Sequence, residues 1–411
     1  MVDWVDLSNT TKRHKAFCTV EQHQNDLFVS ASSQHVQESS SRQLLEDPFL
    51  KESEYISPLV LRENIKTWKS TASRIEKLHL QDLLYYHILD FVSKSKNGTQ
   101  EVYGAYYKAE YEKLATGRKA NDEIRSLTRV LLNLKGKSLR LSLKDSLILA
   151  KQKNEYTNDA SKIIRKICKV YVDLEEEKIR LYNIDTNEAT YLLCFVRPIF
   201  VQLLMPISTM KFIWCESYLV CKKAEENRIL MDQDEKAANT AKIDGILIQE
   251  QYNLEVALIE VSGPNYKVNS THFYEDRKKL AKNLKSIYKA IMHSKDYVCA
   301  VSRREFKVYG FHFYLNKLYI YSLSQTADGH YVFSLASSFE IPHSKVVIHA
   351  LPSFLANLWI VREILQDLNK SLVSLLTENE PSSQSSNESD EDHYVSPTKK
   401  QKTSSSKLVF G

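Results

Sequence analysis

The chain has 411 residues, 43% of them hydrophobic, and its 56 Lys and Arg against 51 Asp and Glu leave a formal charge of +5. That length can fill two domains with real cores, and so small an excess of charge excludes a protein that holds a polyanion by its overall field, leaving nucleic acid to local patches. Six scattered cysteines with no Cys-x-x-Cys pair exclude a zinc site of ordinary spacing and point to a reducing compartment, and nine glycines with no Walker or Gly-x-Gly-x-x-Gly loop argue against a nucleotide-binding fold.

Residues 1–56 are polar, with a Glu38-Ser39-Ser40-Ser41 run and little periodicity, and are expected to be mostly disordered. The start, Met1-Val2-Asp3-Trp4, lacks the basic and apolar regions of a signal peptide. Residues 57–180 read as a helical domain. From Ile65 to Val92 the apolar positions include Ile75, Leu78, Leu83, Leu84, Ile88 and Phe91, and residues 124–134 and 147–172 continue in the same way. The basic stretches 135–144 and 162–169 read as solvated helix faces.

Glu188 opens an apolar helix through Leu192, Phe195, Val196, Ile199, Phe200 and Leu203, capped by Thr186 or Asn187 and bent at Pro198. Arg197 and Pro198 interrupt the apolar stretch 191–206, which is too short to span a bilayer, so no membrane partner is expected. Met210 to Glu216 suits a strand, and residues 221–242 a charged surface connection.

Two runs then carry the chemistry: Lys242-Ile243-Asp244-Gly245-Ile246-Leu247-Ile248 and Val256-Ala257-Leu258-Ile259-Glu260-Val261-Ser262-Gly263. Both read as strands, and the polar residues 249–255 fit a hairpin loop. A loop symmetric about Tyr252 sets Asp244 against Glu260 and Lys242 against Ser262, all on one face. A slip of one residue would send the carboxylates to opposite faces. Like charges side by side in a half-buried sheet destabilise it, and a divalent cation is the usual remedy. The competing reading leaves both carboxylates facing solvent.

His272 to His293 reads as a helix with an apolar stripe and a basic face. Lys278, Lys279, Lys282 and Lys285 on that face are the candidate nucleic-acid-binding residues. Residues 306–313, 317–323 and 331–341 read as strands and 354–376 as an amphipathic helix. Residues 377–411 turn acidic and then basic, and are expected to be disordered. The cluster Lys399-Lys400-Gln401-Lys402 resembles a short nuclear import signal, so the expected location is nuclear or cytoplasmic.

Asp244 followed by Glu260-Val261-Ser262, within the order helix, three strands, helix, strand, resembles the PD-(D/E)XK superfamily of restriction-endonuclease-like phosphodiesterases. Lys-x-Asp-Gly with Ile-Glu-Val-Ser-Gly is also similar to a group of uncharacterised fungal proteins. The resemblance covers about residues 185–325. It implies an α/β (α+β) fold: a restriction-endonuclease-like mixed sheet flanked by helices in 181–376, beside the N-terminal helical domain and disordered tails. It also implies a metal-dependent nuclease with Mg²⁺ or Mn²⁺ held by Asp244, Glu260 and the carbonyl of Val261, and with Glu188 as an additional acidic residue.

The departure from the pattern is Ser262, where active members carry a lysine that stabilises charge developing on the phosphate. Lys242 could fill that role from the neighbouring strand, or Lys278 or Lys279 could reach back from the helix. Glu216 could approach the metal region or face solvent, and His272 could assist proton transfer. If none of these compensates, the chain is an inactive nuclease-like module that binds nucleic acid or protein.

Overall fold

The structure is a computed structural model. It describes residues 56–72, 82–93, 96–115, 117–132, 138–152, 159–181, 186–205, 207, 209–224, 242–263, 267–295, 298–342 and 348–377. All of these belong to one compact unit, Glu54–Gly411. Nearly all of the two segments expected to be disordered, the basic cluster at 399–402 and most of the connection 221–242 lie outside the described residues.

In chain order the elements are α1 (Pro58–Ala72), a 3-10 turn (Leu83–Tyr86), β1 (Ile88–Asp90), α2 (Gly98–Tyr103), α3 (Tyr107–Leu114), α4 (Asp122–Leu132), α5 (Leu139–Gln152) and α6 (Asp159–Glu176). Next, α7 (Glu188–Tyr191) runs through a π-helical turn (Leu192–Val196) into α8 (Arg197–Leu204). Then follow β2 (Met210–Tyr218), β3 (Lys242–Gln249), β4 (Leu254–Ser262), α9 (Ser270–His293), α10 (Ala300–Glu305), β5 (Val308–Tyr314), β6 (Lys317–Gln325), β7 (Tyr331–Glu340) and α11 (Leu351–Thr377).

The strands form one seven-stranded sheet in the order β1-β7-β6-β5-β4-β3-β2. β1 and β7 are parallel, as are β4 and β5, and the remaining pairs are antiparallel. A parallel pair needs a crossover, and α9 supplies the one between β4 and β5. The alternation along β5 separates the two layers. Phe311 and Phe313 point to α8, with ring centroids 5.2 and 6.0 Å from Phe200. Gly310 and His312 point the other way, to α9. A Cβ on Gly310 would lie 2.6 Å from Leu280, so glycine is what lets the helix come this close. Helices therefore cover both faces of the sheet, as the nearly unbroken apolar runs of β3 and β4 require. The fold is mixed α/β, a mixed sheet flanked by helices. Among the described residues no helix is long and apolar enough to cross a membrane.

Residues 57–180 do not stand apart as a helical domain. β1 pairs with β7 through Ile88 and Tyr331, α4 packs on α11, and α6 packs on α8. The helical spacing read from Ile65 to Val92 also breaks. Asp82 caps the 3-10 turn by accepting the N–H of Leu84 at 2.9 Å. His87, at a φ of 59°, ends that turn and lets the chain extend into β1. Leu84, Leu89 and Phe91 then join Leu61, Ile65, Val102, Tyr103 and Val332 in a second, smaller core.

Candidate active site

β3 and β4 meet with Gly245 opposite Ile259 and Leu247 opposite Ala257, and the pairing ends there, one residue short of Asp244 and Glu260. As far as Gly245 this is the register expected of a hairpin centred on Tyr252; the expected pairs Asp244–Glu260 and Lys242–Ser262 lie beyond the end of the ladder. At the loop end the register shifts between Leu247 and Ile248, and Ile248 faces Glu255, so the loop is not symmetric. The ladder between the two strands stops at Gly245. Beyond it, the Asp244 side chain takes over, with Oδ2 accepting the N–H of Val261 at 2.8 Å.

Glu260 lies at the buried heart of the group, 2% exposed. Its Oε2 accepts from Lys279 Nζ at 2.9 Å, while Oε1 is buried with no hydrogen-bond partner. Burial drives the Glu260 carboxyl well above its ordinary range; Lys279 opposes the rise and the Asp244 charge adds to it. Burial also raises Asp244, against the Val261 hydrogen bond and Lys279. For Lys279 burial works downward, but the Glu260 charge and hydrogen bond, with Asp276 and Asp244, outweigh it and hold the ammonium above its usual value.

Glu188 arrives from the opposite layer. Asn187 caps α7 by accepting the N–H of Thr190 at 2.8 Å, which fixes the helix start. That start abuts the end of β4: a Cβ on Gly263 would lie 3.1 Å from Glu188 Cβ. Burial, then the charges of Asp244 and Asp276, push the Glu188 carboxyl up to about 7. Its folded-state pKa thus lies above the ordinary 4.5, so the folded protein holds this proton longer than the unfolded chain. Stability therefore falls as pH rises from 4.5 through about 7. Glu188→Gln should flatten that part of the thermal-midpoint profile, and an unchanged slope in the variant would refute the assignment.

Sequence reasoning missed Asp276. Its Oδ2 accepts from Ser262 Oγ at 2.6 Å and from His272 Nε2 at 2.8 Å, and its Oδ1 lies 4.0 Å from Lys279 Nζ. The signal was available in the spacing, since 272, 276 and 279 share one face of a helix. Ser262, where the superfamily pattern has lysine, is fully buried between Asp276 and His312 Nε2, the latter at 2.5 Å. Ser262 has one proton, which goes to the carboxylate, so His312 Nε2 must be the donor to Ser262 Oγ. Burial, then the nearby Arg277, His272 and Lys279, push the His312 pKa down to about 3, which keeps its ring neutral.

Lys242 stands elsewhere. Past Gly245, β3 leaves β4 and stays paired with β2, Ile243 with Ser217 and Lys242 with Tyr218. Lys242 therefore meets Glu216 at 2.5 Å in an exposed pair, from which the Glu216 charge still acts on Asp244. The charges acting on Lys278 are those of Arg277, Glu275, Lys282 and Asp82. Lys282 Nζ sits 3.7 Å over the Tyr86 ring, and Lys285 donates to the Tyr86 carbonyl at 2.6 Å. Of the lysines considered for the vacant motif position, Lys279 is the one that contacts Glu260.

Among the described residues no group of three or more His, Cys, Asp or Glu side chains is arranged to hold a metal ion. A closed protein cage is thus absent there. Magnesium seldom uses one; it keeps waters and takes one or two carboxylates with substrate phosphate. Asp244 and Glu260, with the carbonyl of Val261, are oxygen donors of that kind, and the orphaned Glu260 Oε1 is an acceptor with capacity to spare. Set against known proteins, the chain matches no protein-family model, no curated protein and no solved structure.

Proposed function

We propose that this chain is a metal-dependent nuclease of restriction-endonuclease-like fold, hydrolysing nucleic-acid phosphodiesters at a site built on Asp244 and Glu260. The observation that carries the reading is the contact of Lys279 with Glu260, beside Asp244 and near Glu188, at the end of the β3–β4 pair. The element order α7–α8, β2, β3, β4, α9, β5, with β5 parallel to β4, supports the same reading.

In this reading Asp244, Glu260 and the Val261 carbonyl hold Mg²⁺ or Mn²⁺. The bound ion supplies Lewis-acid polarisation of the phosphate and a more acidic water. Lys279 takes the place of the missing motif lysine and sets a fixed positive charge where the phosphate gains negative charge. Glu188, with its carboxyl near 7, can hold or release a proton at neutral pH, as a group exchanging protons with water must. Asp276 is a positioning residue: it accepts from His272 and from Ser262 and lies 4.0 Å from Lys279, joining the end of β4 to the first two turns of α9.

The test is cleavage of single- and double-stranded DNA and RNA with Mg²⁺ or Mn²⁺. The expected result is metal-dependent cutting by the wild type, reduced at least about 10²-fold in Asp244→Ala and Glu260→Ala. Cutting that persists in both variants would sink the site. No cutting by a folded wild type would favour the inactive nuclease-like module.

A further inference from the structure

The α9 face that carries Lys279 continues to the start of the helix. Lys279, Asp276 and His272 lie three and four positions apart, so they share that face. A helical side chain leans toward the N-terminus of its helix, which returns the Lys279 ammonium to within 4.0 Å of Asp276 Oδ1. Asp276 Oδ2 accepts from His272 Nε2 at 2.8 Å. One carboxylate therefore bridges the ammonium that touches Glu260 and an imidazole in the first turn of α9. The Glu260 side chain is 2% exposed and that of His272 43%, so the row runs from the buried carboxyl out to solvent.

The imidazole is held in place from two sides. Ser262 Oγ donates to the same Asp276 oxygen at 2.6 Å and fixes the carboxylate from the end of β4. The His272 N–H donates to Asn269 Oδ1 at 3.1 Å, and the Phe273 ring stacks on His312, centroids 4.9 Å and planes 10° apart, which seats the helix start on β5. A carboxylate oxygen only accepts, so the His272 proton facing Asp276 sits on Nε2. Nδ1 is then the nitrogen left to exchange protons with a substrate.

We propose that His272 is the general acid of the cleavage, donating the proton on Nδ1 to the oxygen that leaves phosphorus, with Asp276 and Ser262 as its positioning residues. The inference rests on the nuclease reading above and adds a residue to it. As the oxygen of the attacking water bonds to phosphorus, the water's proton passes to the Glu188 carboxylate or to solvent. The bond from phosphorus to the leaving oxygen breaks, its electron pair stays on that oxygen, and the Nδ1 proton of the imidazolium joins it to give a neutral hydroxyl. His272, left neutral with its other proton on Nε2, takes up the next proton from solvent, which its exposure allows. Lys279 and His272 then have separate duties, one setting charge against the phosphate and the other supplying the proton. Asp276 keeps the ring in one orientation throughout.

The experiment compares the full chain with its His272→Gln variant on two kinds of oligonucleotide, with Mg²⁺ or Mn²⁺. One is all-oxygen. In the other, sulfur replaces the 3′ or the 5′ bridging oxygen at a linkage that the wild type cuts. A thiolate leaves without being protonated, so a general acid matters for the oxygen substrate alone. His272→Gln is expected to lower single-turnover cleavage of the oxygen linkage about 10²-fold, and of the linkage with sulfur in the leaving position by less than about threefold. In parallel, nitrogen-15 shifts of the neutral His272 ring, read without metal or substrate, should place its proton on Nε2. A proton on Nδ1, or equal losses on both substrates, would overturn the proposal, the second as the mark of an imidazole that only binds the strand. Wild-type cutting that His272→Gln leaves intact would defeat this inference alone, whereas no cutting by a folded wild type would defeat the nuclease reading with it.

Discussion

Lys279→Met is expected to lower metal-dependent cleavage about 10²- to 10³-fold, the usual loss when one preorganised donor aimed at a developing oxyanion is removed. Lys242→Met should leave the rate within about twofold, since Lys242 is committed to Glu216 at the sheet margin. The contrast is the informative part, because both lysines were open candidates from sequence. Methionine keeps the length of the stem and deletes the charge. It also leaves Glu260 buried with neither oxygen paired, so the carboxyl should stay protonated to still higher pH. Single-turnover rates at saturating metal, read beside thermal midpoints, separate lost chemistry from lost folding. A rate that falls in Lys242→Met but not in Lys279→Met would reverse the assignment.

Arg277→Met should destabilise the fold by about 3–5 kcal/mol, the cost of stripping one partner from a buried ion pair. Arg277 Nη2 and Asp90 Oδ2 are 3.0 Å apart with side chains 5% and 7% exposed. Asp90 also accepts the N–H groups of Val92 and Ser93, at 2.9 and 3.2 Å, so its carboxylate shapes the chain leaving β1. The pair fastens α9 to the edge strand of the sheet. Urea midpoints should show Asp90→Asn and Arg277→Met each costly, and the double variant less so than their sum. Strict additivity would mean that the two charges do not support each other.

The hairpin was legible because its evidence is local. A period of two, aliphatic residues on both sides and a short polar loop set Gly245 opposite Ile259, and so bring Asp244 and Glu260 to the same end of the hairpin, without reference to the rest of the chain. The shift at Ile248 was hidden, since a bulge changes which residues oppose each other and not their composition. The lysine was ambiguous for a different reason. Whether Lys278 or Lys279 reaches Glu260 depends on the rotation of α9, and that rotation is set by Leu280 against Gly310, a contact between distant segments. Pairing Lys242 with Ser262 extended the hairpin ladder past its real end at Gly245. β1 was unreadable: three residues, Ile88-Leu89-Asp90, sit in a stretch whose apolar spacing suits a helix, and their strand character comes from β7.

That distant partner has a practical consequence for handling the protein. Ile88 and Leu89 leave the ribosome long before Tyr331 and Val332 are made, so the sheet is completed late in synthesis. A fragment covering only 181–376 would contain every strand but β1, and would present the bare edge of β7 to other copies of itself. Unprotected edges of this kind seed self-association. An expression fragment intended for the assays above should therefore begin ahead of Pro58.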